Sequence, residues 1–162
     1  MSIRAATPAD APRIAEIWNH VIRTSAATFS NLEKTPEGLA QDFADKAADG
    51  KTFLVAEIDG QVVGFATYFQ FRGGPGYAKT MEHTVILAPR AHGRGLGRAL
   101  MAGIEEHARA GGAHSIFAGV SAENEAGVAF HAAVGYAEVA RLSEVGFKFG
   151  RWMDLVLMQK ML

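Results

Sequence analysis

Between Ile14 and Ile22 the apolar residues Ile14, Ile17, Trp18, Val21 and Ile22 return at intervals of three and four, the spacing of a helix with one buried side. Thr7, Pro8 and Asp10 ahead of them supply a cap, a first-turn proline and an acid at the positive end, so a helix is predicted from about residue 8 to Thr24. Thr35-Pro36-Glu37 repeats that signature before Leu39, Phe43 and Ala47, and predicts a second helix closed by Gly50. The period then changes. "TFLVAEI" (52–58) and "QVVGFATYF" (61–69) flank Asp59-Gly60, a dipeptide that takes the positive φ angles of a tight hairpin turn. "MEHTVILA" (81–88) reads as a strand buried on both faces. Leu96, Leu100, Ile104 and Ala108 restore the helical interval until Gly111-Gly112 stops it. "SIFAGVS" (115–121) is the next strand, a short helix lies near 125–134 before Gly135, and "YAEVARL" and "RWMDLVLMQKML" read as two final strands. With a short strand over residues 2–6, the order is β-α-α-β-β-β-α-β-α-β-β. The fold class is α/β, and no repeat or linker divides the 162 residues, so one domain over 1–162 is predicted.

Composition narrows the partners. A net charge of -1 leaves no general basic surface for nucleic acid or an anionic membrane, so any anion site must be local. The absence of cysteine excludes disulfides, thiolate metal sites and a cysteine nucleophile. His20, His83, His92, His107 and His114 show no metal-ligand spacing, and no metal is predicted. The N-terminal "MSIRAATPAD" lacks the apolar core of a secretory signal, and no stretch approaches the ~20 apolar residues of a membrane span. A cytoplasmic protein is the expectation.

The stretch "LAPRAHGRGLGRAL" (87–100) follows a predicted strand and opens a predicted helix. In that setting the backbone N–H groups of a glycine loop and the helix N-terminus converge on one spot and favour an anion, and glycine lets a phosphate approach the backbone. The P-loop pattern is absent because no Gly-Lys-Ser/Thr follows. The dinucleotide pattern fails because Arg98 stands where its third glycine belongs, and because the loop follows several strands rather than the first. What remains is R-x-x-G-x-G at Arg90, Gly93 and Gly95.

That pattern, with the element order, resembles the pyrophosphate loop of the GNAT family of N-acetyltransferases, which bind acetyl-CoA. "MEHTVILAPRAHGRGLG", "FHAAVGY" and "VGFKFGRWMDL" are similar to segments of its phosphinothricin and methionine sulfoximine acetyltransferase branch. The resemblance implies a mixed, mostly antiparallel central sheet flanked by helices. It also implies that Glu82 is the base toward a substrate amine and that His131 lies near the thioester as acid or orienting group. Cofactor contacts are implied for the backbone of Val85, Ile86 and Leu87, for the loop and helix start at Arg90, Gly93, Arg94, Gly95, Leu96, Gly97 and Arg98, and for Asn124. Asn124 also stands at a natural helix-capping position. Independently, Glu82 opens an otherwise apolar strand, where a carboxylate is costly to bury.

An amino-acid substrate brings a carboxylate that needs a cation, because Glu82 already occupies the pocket. Arg72 matches a basic position of the branch and Tyr77 an aromatic one, with Phe29 as a further wall. Relatives carry a second basic residue in this loop, where this chain has Gly74 or Ala78 and only a displaced Lys79. The implied reaction is acetylation of the α-amine of a small amino acid or analogue, with methionine sulfoximine or sulfone types ahead of phosphinothricin. Alternatives are a protein or peptide N-acetyltransferase and a non-catalytic acyl-CoA sensor. Trp152 lines the pocket or packs in a strand. A homodimer is expected, since "WMDLVLMQKML" carries more apolar side chains than one face of an edge strand buries.

Overall fold

The computed structural model describes residues 1–162. Its strands are β1 (Ser2–Ala5), β2 (Phe53–Ile58), β3 (Gln61–Gln70), β4 (Thr80–Leu87), β5 (Ser115–Ser121), β6 (Ala137–Lys148) and β7 (Arg151–Met161). Its helices are α1 (Ala11–Thr24), α2 (Pro36–Ala48), α3 (Leu96–Ala110) and α4 (Glu125–Ala133). One seven-stranded sheet runs β1-β2-β3-β4-β5-β7-β6, and only β4 and β5 pair in parallel. The mixed, mostly antiparallel sheet flanked by helices is thus the observed architecture.

Local chemistry accounts for the element ends. Thr35 Oγ1 accepts from the Gly38 N–H at 3.0 Å and caps α2. Asp59 and Gly60 take φ of 50° and 74°, the hairpin geometry expected of an Asp-Gly pair. The helix predicted from residue 8 begins at Ala11, because Pro8–Asp10 closes first as a single 3-10 turn. Asp10 fixes that turn by accepting from the Thr7 N–H at 2.7 Å and from the Arg4 guanidinium at 2.8 and 2.9 Å. The Arg4 charge holds its carboxyl down to about 2.

β6 extends to Lys148, beyond the predicted end at Leu142. Its register shifts between Leu142 and Gly146, where Glu144 takes φ 53° and its N–H donates to Asp154 Oδ1 at 2.8 Å. The strand lies at the sheet edge with most side chains exposed, and its buried positions are Gly146 and Lys148 rather than apolar residues, so no hydrophobic alternation marks its second half.

The sheet is covered on both faces. Leu100, Met101, Ile104 and Ala108 of α3 bury against Ala66, Ile116 and Val156. On the other face Ile14, Ile17, Leu39 and Phe43 of α1 and α2 bury against Phe53, Val55 and Phe65. Truncating a fully buried side chain such as Leu100 to Ala is worth about 2–5 kcal/mol. No helix is long and apolar enough to cross a membrane.

Two packed faces hold the sheet rigid around a gap in its middle. The β4–β5 pairing covers only Thr80–Glu82 against Ser115–Phe117. Beyond it β4 stays with β3 as far as Leu87, and β5 stays with β7 as far as Ser121. The two strands separate, and "MEHTVILA" is half-buried from Thr84 to Leu87 because a cleft opens beside it.

Candidate active site

The separated strands leave β4 with an unpaired edge. The Ala88 N–H donates to Val63 O on the β3 side at 2.7 Å, so by strand alternation Ile86 also turns its backbone groups to β3. Those of Val85 and Leu87 face the cleft, free to pair with an extended ligand.

The cleft encloses about 370 Å³ and is lined by Trp18, Val21, Phe29, Glu82, Val85, Ile86, Gly119, Ser121, Asn124 and His131, among others. None of the residues lining it is an arginine or lysine. Glu82 enters it from the last position at which β4 pairs with β5, between register partners Phe69 and Phe117. Gly119 of β5 lies beside it: a Cβ there would stand 3.8 Å from Glu82 Oε2, an ordinary contact distance. Burial, with no cation to offset it, pushes the Glu82 carboxyl above the ordinary carboxylate range. A carboxylate so placed is a better base than one in water.

A second cavity, of about 540 Å³, runs from the cleft over the glycine loop and the start of α3. The two share Val85, Asn124 and His131, which therefore mark their junction. Gly93, Gly95, Leu96, Gly97 and Arg98, for which cofactor contact was expected, all line this channel. Their roles differ. Gly93 and Gly95 hold φ of 71° and 77°, a conformation side chains rarely adopt, with open space where a Cβ would point. Gly97 is a packing glycine, since its Cβ would lie 3.2 Å from the Phe130 ring and 3.3 Å from Leu87. The open glycines at the α3 N-terminus form a concavity suited to phosphate.

His131 is buried on α4, and its Nδ1 lies 2.7 Å from the Gly127 carbonyl. A carbonyl only accepts, so Nδ1 carries the proton and Nε2 holds a lone pair. That Nε2 is buried without a protein partner. Burial also pushes the imidazole below its ordinary range, which keeps it neutral. Asn124 caps α4, its Oδ1 accepting from the Gly127 N–H at 2.9 Å, while the residue lines both cavities. Capping and ligand contact are therefore compatible.

Other expected site residues stand elsewhere. Arg90 points away from the channel, donating to Gln61 Oε1 of the β2–β3 hairpin at 2.7 Å. Arg94 is exposed and outside the channel lining. Arg72 and Tyr77 are exposed outside the cleft, with the Arg72 guanidinium 5.5 Å over the Tyr77 ring. Arg72 nevertheless follows Phe71, whose ring stacks at 4.5 Å on Phe117, the register partner of Glu82. Trp152 is 60% exposed against Phe147 and lines no part of the cleft.

Sequence reasoning missed His83 and the cluster behind it. His83 stacks on His131, and the Tyr136 ring meets both edge-on at 5.6 and 5.5 Å. Tyr136 donates to Glu105 Oε1 at 3.1 Å, and Lys160 donates to Glu105 Oε2 at 2.7 Å. The one available signal was a histidine beside Glu82 in an apolar strand, and nothing in it names a partner some fifty residues away.

This geometry has relatives. Residues 16–136 match the Acetyltransferase (GNAT) family, and the chain belongs to it. It is 37% identical over 159 residues to the L-amino acid N-acyltransferase MnaT of Escherichia coli, covering 98% of this chain and 92% of that protein. It is 35% identical, over 98% and 93%, to an L-methionine sulfoximine/L-methionine sulfone acetyltransferase of Salmonella typhimurium. Among solved structures, a ribosomal-protein-alanine N-acetyltransferase from Brucella melitensis superposes with a TM-score of 0.96 at 40% identity, covering both chains fully. An acetyltransferase from Salmonella typhimurium with its cofactor acetyl-CoA superposes at 0.95 and 35% identity, over 99% of this chain and 93% of that one.

The protein is an acetyl-CoA-dependent N-acetyltransferase. The site fits that donor: the open loop at Gly93 and Gly95 suits a pyrophosphate, and the free β4 edge suits an extended amide-bearing arm.

Proposed function

We propose that the acceptor is the α-amine of a small amino acid or analogue, with methionine sulfoximine or sulfone types ahead of phosphinothricin. The observation that carries this reading is the junction of two cavities at Val85, Asn124 and His131, with the basic carboxylate of Glu82 on one side and the phosphate-suited loop on the other. The names of the relatives support the amino-acid class.

Acetyl-CoA, when bound, supplies an activated acetyl thioester. Glu82 takes the proton of the substrate ammonium, directly or through water, and frees the nitrogen lone pair. The N–H group of Val85 is a fixed donor for negative charge developing on a carbonyl oxygen at the junction, and that of Leu87 lies farther along the channel. His131 orients, its Nε2 lone pair accepting a hydrogen bond, because acting as an acid would require a proton that burial disfavours. The substrate carboxylate finds no cation in the cleft lining, and Arg72, one residue beyond Phe71, is the residue we assign to meet it at the rim. Phosphinothricin ranks lower because Gly74 and Ala78 offer its second acidic group nothing. A homodimer in the cytoplasm completes the reading.

A thiol-release assay with acetyl-CoA and an amine panel tests it. The panel holds free amino acids, methionine sulfoximine, phosphinothricin, simple amines lacking a carboxylate, and a peptide. Turnover of amino acids is the expected result. Turnover of the peptide alone would replace the reading with protein acetylation, and binding without any turnover would replace it with a sensor.

A further inference from the structure

One wall of the substrate cleft has little structure of its own. Residues 26–33 make no backbone–backbone hydrogen bond, yet Ala27, Thr28 and Phe29 line the cleft. The local bonds of this segment run from its own N–H groups to its own hydroxyls: Ala27 to Ser25 Oγ, Ser30 to Thr28 Oγ1 and Leu32 to Ser30 Oγ. Such turns shape a loop but do not place it against the rest of the protein.

Beside the exposed Arg23–Glu33 ion pair at 3.0 Å, two buried anchors do that. At the far end Asn19 on α1 brackets Lys34, donating to its carbonyl at 2.9 Å and accepting from its N–H at 2.6 Å. At the cleft end the anchor comes from the edge strand β6. Lys148 Nζ donates to Ser25 O at 2.7 Å and to Thr28 O at 2.8 Å. Its ammonium lies 4.9 Å over the Phe149 ring, and the residue is only 5% exposed. Burial pushes it below the usual lysine range, and no carboxylate offsets that. An ammonium kept out of water without a counter-ion is costly, and a methionine would fill the same space without that cost.

Gly146 lies two residues before Lys148, so both project from the same side of β6. A Cβ on Gly146 would stand 2.4 to 2.6 Å from three carbons of the Phe29 ring. The ring therefore lies on bare backbone next to the point where Lys148 holds the carbonyls of Ser25 and Thr28. The register shift before Gly146 sets the pair in place.

We propose that Lys148 and Gly146 are positioning residues for the acceptor amine: β6 clamps the Ser25–Phe29 segment, and the seated Phe29 ring fixes the size and orientation of the substrate side chain. This rests on the acetyltransferase reading of the cleft. Neither residue lines the cleft, and neither borders the channel over the glycine loop. The clamp therefore acts on the acceptor and leaves donor binding alone.

Kinetics on the full-length protein test it. Lys148→Met should raise the KM of an accepted amino acid about tenfold or more, with kcat changed far less and acetyl-CoA affinity by calorimetry within about twofold. Lys148→Arg, which keeps charge and donors, should recover part of the loss. Gly146→Ala should raise the same KM, because the Phe29 ring must leave its seat. In a Phe29→Ala background the Gly146→Ala change should add nothing, since the added methyl then has room. Additive losses in that double variant, or an unchanged KM in both Lys148→Met and Gly146→Ala while the wild type turns over, would overturn the clamp. If the wild type acetylates no amine, the functional reading fails and proteolysis decides the clamp separately. Chymotryptic cleavage after Phe29 should then be faster in Lys148→Met than in wild type, and equal rates would sink it.

Discussion

His83 stacks on His131 with ring centroids 5.0 Å apart and planes 25° apart, and His83 Nδ1, His83 Nε2 and His131 Nε2 are all buried without a protein partner. Two imidazoles in that contact stay neutral, and burial with the neighbouring His131 lowers His83 from 6.5 to about 3. Below pH 6.5 the unfolded chain therefore binds a proton that the native state refuses. Stability is lost as pH falls from 6.5 toward 3, at about 1.4 kcal/mol per unit for one such group. Denaturant unfolding at pH 7, 6 and 5 should show the decline, and His83→Phe should flatten it. Asp10, held down to about 2, loses its contribution only at lower pH and does not interfere. An unaltered slope in the variant would show that other groups titrate.

Glu82→Gln keeps the shape of the side chain and removes the base. Turnover should fall by ~10² to 10⁴-fold while acetyl-CoA affinity holds, as for a lost general base. Because burial raises the Glu82 carboxyl, the acidic limb of the wild-type pH–rate profile should lie above the ordinary glutamate value of 4.5. Full activity in the variant, with the same limb, would assign the proton to another acceptor.

Gly95→Val tests the phosphate loop. A valine at φ 77° is strained by on the order of 1–2 kcal/mol, and its side chain points into open space at the channel. Calorimetry should show acetyl-CoA binding at least about tenfold weaker, a difference of 1.4 kcal/mol. Gly97→Ala offers a contrast, because it presses on Phe130 and should lower the melting temperature first.

Arg72→Ala separates substrates by charge. The KM should rise strongly for amino acids and little for amines lacking a carboxylate, since a guanidinium grips a carboxylate through two bonds. An equal effect on both classes would remove Arg72 from recognition.

The exposed apolar row on β6 and β7 bears on assembly. Val145 and Phe147 on the edge strand β6 are 52% and 56% exposed, and Trp152 beside Phe147 on β7 is 60% exposed. Light scattering should give twice the chain mass over a wide concentration range. A monomeric mass throughout would exclude the homodimer.

Local physics made much of this protein legible from its sequence. Helical intervals placed α1, α2 and α3, Asp59-Gly60 placed the first hairpin, and alternating Gly93, Gly95 and Gly97 marked the phosphate loop. Such signals lie within a turn or two of the residues they organise. The second half of β6 was hidden because its buried positions hold Gly146 and Lys148 while Val145 and Phe147 are exposed, the reverse of an apolar alternation. The cleft itself depends on where parallel pairing ends at Glu82 and Phe117, a matter of which neighbour each strand keeps across the sheet. Arg90 carried the right motif position, yet its side chain bonds to Gln61, a partner 29 residues away. His83 against His131 and Lys148 against Ser25 and Thr28 are likewise pairings of distant residues. Periodicity reports which side of an element is buried, and only the packed fold decides what it is buried against.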